Sequence, residues 1–150
     1  MKKVLINRCY GGYGISNEAI ELWLKKKGMD YTTEVSQYGD VIYKVDDNII
    51  WTMNREDSTL IEIFEEIGSE RTSGNHAQLE LVELPDFCEY SIGEYDGQEW
   101  VQDTWINVTE QELSMGLSPE KLDMVRKVGS IRLVSEADYW DGDETDKIQY

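Results

Sequence analysis

Val4-Leu5-Ile6-Asn7-Arg8-Cys9-Tyr10-Gly11-Gly12-Tyr13-Gly14-Ile15-Ser16 joins a short apolar run, a glycine-rich loop and a helix cap within thirteen residues. Lys3–Asn7 reads as a buried strand because Val4-Leu5-Ile6 is apolar throughout and bounded by polar residues. Ser16 suits the N-cap of a helix beginning just after it. Glu18 lies in the positive first turn of that helix, and Ile15 can pack on Ile20 across the cap. Lys25-Lys26-Lys27 face the negative end, and Gly28 can close the helix in the left-handed conformation. Ala19, Ile20, Trp23 and Leu24 share one face, so the helix docks on the sheet.

The segments C-terminal to this unit decide the fold class. Tyr31–Val35 is β-rich, and Val41–Val45 and Ile49–Met53 form a hairpin about Asp46-Asp47-Asn48. Asp57 or Ser58 caps a second helix with Leu60, Ile61, Phe64 and Ile67 at helical spacing, ending at Gly68. Ser69–Asn75 is a loop before a strand over Gln78–Leu84. Alternation in that strand is imperfect, which suggests a second face that is not fully solvent-exposed. Asp96-Gly97 signals a two-residue hairpin turn pairing Tyr95 with Gln98 and Ile92 with Val101, with Gly93 leaving room for the Trp100 indole. Thr109-Glu110-Gln111-Glu112 is a capping box, Ser118-Pro119 restarts the helix, and Leu122, Val125 and Val128 form its apolar stripe. A short strand over Ile131–Val134 completes the pattern. The order βα, hairpin, α, hairpin, αα, β lacks the alternation of a doubly wound parallel sheet. It predicts an α+β single domain over residues 1–134, a mostly antiparallel sheet with about three helices on one face, and an acidic tail over 135–150.

Charge divides the chain unevenly. Residues 1–50 hold seven Lys/Arg and seven Asp/Glu, residues 51–100 two and thirteen, and residues 101–150 five and eleven, giving a net charge of −17. Direct binding to nucleic acid or an anionic membrane would meet like charge, whereas a basic partner is attracted. Acidity also serves solubility alone. No apolar run matches a membrane span or signal peptide, so the cytoplasm is the expected compartment, with Cys9 and Cys88 as reduced thiols.

Two groups of residues are candidate binding sites. The loop of Arg8, Tyr10, Gly11, Gly12, Tyr13, Gly14 and Ser16 could present N–H groups and a guanidinium to an anion, completed by Arg55 or Arg71. Its spacing fits neither a dinucleotide fingerprint nor a triphosphate loop. The alternative is a sharp turn whose tyrosines pack on the core, with Arg8 on an internal carboxylate. The second group is acidic: Glu62, Glu65, Glu66 and Glu70 on the second helix, and Glu94, Asp96 and Glu99 about the hairpin tip. Like charges at i,i+4 cost about 0.3 kcal/mol each, so their retention implies a tolerant fold or a use. One histidine, His76, cannot make a multi-histidine metal centre, and a Cys9–His76 nucleophile pair has no local signature. Asp141, Asp143, Glu144 and Asp146 depart from calcium-loop spacing. The expectation is no metal, no cofactor and no catalytic residue.

The stretch Asn7–Ala19, with Leu81-Val82-Glu83-Leu84-Pro85-Asp86 and Tyr95-Asp96-Gly97, resembles a family of small uncharacterised phage and prophage proteins. In that family an Asn-x-Cys-Tyr-Gly-Gly-aromatic motif precedes a helix, and a strand ending in Pro-Asp leads to a Tyr-Asp-Gly turn. The resemblance spans about residues 1–102 and implies a phage-type origin and a shared fold, without an activity. Relatives often finish on a basic, aromatic ending, in place of which this chain carries a further helical segment and an acidic tail. The leading expectation is an accessory protein, of a counter-defence kind, whose acidic residues block a basic host protein that handles nucleic acid. The alternatives are a protein that sequesters a nucleotide-like anion at the Arg8–Ser16 loop, within one chain or between the subunits of a dimer, and a small enzyme using Cys9 or tyrosine.

Overall fold

Val4, Leu5 and Ile6 are fully buried in β1 (Lys2–Asn7), and their alternation explains the architecture. Successive strand side chains point to opposite faces, so Leu5 enters one apolar core while Val4 and Ile6 enter a second. In the computed structural model, which describes residues 1–135, β1 pairs antiparallel with β5 (Leu79–Leu84) and separates these cores. β5 divides in the same way: Leu79 and Leu81 join the first core, Val82 and Leu84 the second. Its imperfect alternation therefore reflects a strand packed on both sides.

The first core lies under α1 (Asn17–Lys26), α2 (Ser58–Thr72) and a sheet of β2 (Thr32–Val35), β3 (Val41–Val45) and β4 (Asn48–Ile50). Ser16 caps α1 by accepting from Ala19 N–H, and the face of Ala19, Ile20, Trp23 and Leu24 is buried as its spacing predicts. Trp23 Nε1 donates to Asp57 Oδ1 at 2.9 Å, tying α1 to the N-cap of α2. The β3–β4 turn uses only Asp46 and Asp47, at φ 50° and 67°, so Asn48 is the first residue of β4 rather than part of the turn. Gly68 interrupts α2 at φ 86° without ending it; a further helical turn runs to Thr72 in place of the expected loop.

The second core lies under β6 (Cys88–Tyr95), β7 (Gln98–Val108) and α4 (Pro119–Val128). The β6–β7 register pairs Tyr95 with Gln98, Ile92 with Val101 and Gly93 with Trp100. A Cβ on Gly93 would lie 2.5 Å from the indole, so glycine is required by packing. After α3 (Glu110–Met115) and α4 the chain returns as β8 (Ile131–Leu133), parallel to β7. The α+β class holds. Among the described residues three small sheets replace one larger one, four helices replace three, and helices cover both cores because β1 and β5 carry apolar residues on both faces. On α4, Lys121 is buried and Leu122 exposed, reversing part of the expected stripe. The Lys121 ammonium reaches Glu112 Oε2 at 2.7 Å, and that pairing turns its stem inward. Of the expected acidic tail, residues 136–150, with Asp141, Asp143, Glu144 and Asp146, lie outside the described residues.

Candidate functional site

The glycine loop is held by internal contacts. Asn7 is fully buried; its Nδ2 donates to the carbonyls of Cys9 and Gly97, and its Oδ1 accepts from Gln78 N–H. A Cβ on Gly11 would lie 1.8 Å from the His76 carbonyl oxygen, and one on Gly97 would lie 2.6 Å from Gly12 N. The loop, the hairpin tip and the segment before β5 are therefore in backbone contact. Gly14 accepts from Gly74 N–H, and Ser16 Oγ donates to the Arg71 carbonyl at 2.6 Å. Tyr10 is left 69% exposed.

None of the three arginines considered for an anion pocket is turned to that use. Arg8 Nε pairs with Glu80 at 2.8 Å, Arg71 with Glu18 at 2.7 Å, and Arg55 makes a two-pronged bond to Glu99 with contacts of 2.7 and 2.5 Å. The internal carboxylate is thus the observed role of Arg8. The contact between Cys9 and His76 runs from the thiol to the histidine's main-chain oxygen at 3.2 Å, which assembles no nucleophile and base. Among the described residues no cluster of three or more His, Cys, Asp or Glu is positioned to hold a metal ion. Nor is any helix there long and apolar enough to cross a membrane.

The acidic candidates separate into three kinds. Glu62 and Glu66 flank the Lys26 ammonium at 2.9 and 3.2 Å, and Glu65 meets Lys3 at 3.1 Å, so lysines distant in sequence offset the charge on α2. Glu99 is a correction: only 6% exposed, it is no surface residue. Its carboxylate accepts from Arg55 and from Asn7 N–H at 2.8 Å, and these donors offset the loss of water. Glu70, Glu94 and Asp96 are exposed, and Glu94 accepts from Gly97 N–H at the tip.

Two clefts flank this region. One, of about 820 Å³, runs past Cys9, Tyr10, Gly11, Glu70 and His76 and has no Lys or Arg among the described residues of its lining. The other, of about 530 Å³, includes Tyr13, Trp51, Arg55, Glu56, Glu89 and Tyr90. The Arg55 guanidinium lies 4.0 Å from the Tyr13 ring centroid. Burial pushes the Tyr13 phenol up to about 12 despite that nearby positive charge, and its Oη is buried without a hydrogen-bond partner among the described residues. Tyr90 donates to Glu56 at 2.7 Å; burial, then that bond, pushes its pKa up as well. Sequence reasoning misses the second cleft, although Glu99 carries a signal: the expected hairpin register puts it opposite Glu94, an arrangement that calls for a cation.

Comparison with protein-family models, with curated proteins and with solved structures finds no match.

Proposed function

We propose that this is a non-enzymatic binding protein that engages a basic, nucleic-acid-handling protein through an acidic surface. That surface is narrower than the sequence suggests. It comprises Glu70, Glu94 and Asp96 with the exposed rings of Tyr10 and Tyr95, and excludes the lysine-compensated face of α2. One observation carries the reading: among the described residues the cleft between Tyr10 and Glu70 is lined by no lysine or arginine, while the contact of Gly97 with Gly11 and Gly12 sets the acidic tip beside it. Carboxylates interspersed with tyrosines suit a basic protein surface, since the charges steer the encounter and the rings supply contact area at low entropic cost. The resemblance to phage and prophage proteins adds a setting in which a small protein occupies a host factor's nucleic-acid groove. An anion-sequestering loop is less favoured, because its candidate guanidinium groups already hold Glu80, Glu99 and Glu18.

The test is fluorescence anisotropy with a labelled oligo-arginine peptide at low and physiological ionic strength. Glu70→Gln/Asp96→Asn is compared with a charge-matched control, Asp30→Asn/Glu120→Gln. The surface variant is expected to lose about tenfold in affinity and the control about twofold or less, with binding weakening as salt rises. Equal losses from both variants would leave only diffuse attraction and defeat the reading.

A further inference from the structure

The cleft that includes Tyr13, Trp51, Arg55, Glu56, Glu89 and Tyr90 already displays, within the protein, the chemistry of cation recognition. Arg55 lies over Tyr13 and is clasped by Glu99. Lys2 lies 5.6 Å from the centroid of Tyr90, with Glu89 3.9 Å from its ammonium. In each case an aromatic face and a carboxylate lie against one cation, and the Cys88 carbonyl also accepts from Lys2 at 2.6 Å. Trp51 and Glu56 offer the same pair of groups to an incoming molecule. The Trp51 side chain is 64% exposed, and Glu56, also exposed, is positioned by the Tyr90 hydroxyl. Arg55 adds no net attraction for an anion, because Glu99 neutralises it at short range.

We propose that the cleft receives one arginine or lysine side chain of the basic protein partner, its charge against Glu56 and its apolar stem along Trp51. This rests on the binding function proposed above and adds an anchor to it: the acidic tip steers the partner, and the cleft fixes its register.

The experiment uses the full chain labelled with nitrogen-15, with the Trp51 indole resonance assigned through Trp51→Phe. It is titrated with a short peptide containing one arginine among glycines, and with the same peptide carrying citrulline, a neutral isostere. The arginine peptide is expected to shift the Trp51 indole saturably, the citrulline peptide to have little effect, and Glu56→Gln to weaken binding about fivefold. Glu56→Gln keeps an oxygen acceptor for Tyr90, and Trp51 is exposed, so both variants should fold; unchanged melting temperatures check this. Equal responses to both peptides, no shift at Trp51, or a response to inorganic phosphate in place of the arginine peptide would each overturn the proposal. Failure here alongside a surviving effect of Glu70→Gln/Asp96→Asn on oligo-arginine binding would remove the anchor and leave the acidic surface standing.

Discussion

Arg55 and Glu99 join the two halves of the molecule, 44 residues apart in the chain, through two N–H to oxygen contacts. Arg55 lies between β4 and α2 and also donates to the Leu5 carbonyl at 3.2 Å. Glu99 stands near the start of β7 and takes Asn7 N–H as well. The pair therefore satisfies main-chain groups of Leu5 and Asn7 along one edge of β1. Glu99→Ala should cost about 3 kcal/mol, since it leaves a half-buried guanidinium and a buried N–H without their acceptor. Urea denaturation measures this; a cost below about 1 kcal/mol would show that water replaces the carboxylate.

Gly11 meets a different constraint. A Cβ there would lie 1.8 Å from a main-chain oxygen that cannot rotate away. Gly11→Ala should therefore force the loop off the segment before β5 and destabilise by about 2–4 kcal/mol. Gly28, at φ 65° with open space around it, carries only the left-handed penalty, so Gly28→Ala should cost about 1 kcal/mol. Thermal melts of the two variants give the ranking, and a reversed order would contradict the close approach.

Most of the elements are legible in the sequence because their signals are local. Ser16, Asp57, Thr109 and Ser118 each accept the helix N–H that their cap positions predict. Asp96-Gly97 sets its hairpin register for the same reason. The sites are harder to read because they depend on partners distant in the chain. Lys26 lies 36 residues before Glu62 and Lys3 62 before Glu65, so the compensation of α2 has no signature along the sequence. Glu99 reads as one more surface acid until β7 turns it against Arg55. The division into two cores is written in Val4-Leu5-Ile6, but an apolar triplet does not say how many layers will cover it.

Tyr13 predicts the behaviour at high pH. Its pKa is raised from 10.0 to about 12, chiefly by burial. The unfolded chain therefore releases this proton first. Stability is full below pH 10 and declines as pH rises toward about 12, by about 2 kcal/mol from this residue. Tyr13→Phe should remove that part of the decline. Near neutral pH it should leave stability unchanged or raise it by about 1 kcal/mol, because the hydroxyl it deletes has no partner among the described residues. Stability curves for both proteins between pH 8 and 12, with tyrosinate absorbance, test both statements.

Lys26 separates the two explanations of the acidic helix. If α2 is acidic because the fold supplies a counter-charge, removing the lysine should unmask Glu62 and Glu66, which are i,i+4 neighbours. Lys26→Gln should then leave the melting temperature nearly unchanged, since all three groups are exposed to screening by solvent. It should also strengthen binding of an oligo-arginine peptide about twofold, by adding an uncompensated acidic patch to the surface. If the helix face were itself the recognition surface, Lys26 would be part of that interface, and its loss would alter affinity well beyond this increment. Anisotropy titrations of the wild type and Lys26→Gln, repeated in the Glu70→Gln/Asp96→Asn background, distinguish the cases. Independent effects place recognition at the tip and cleft, whereas strong non-additivity would return it to α2.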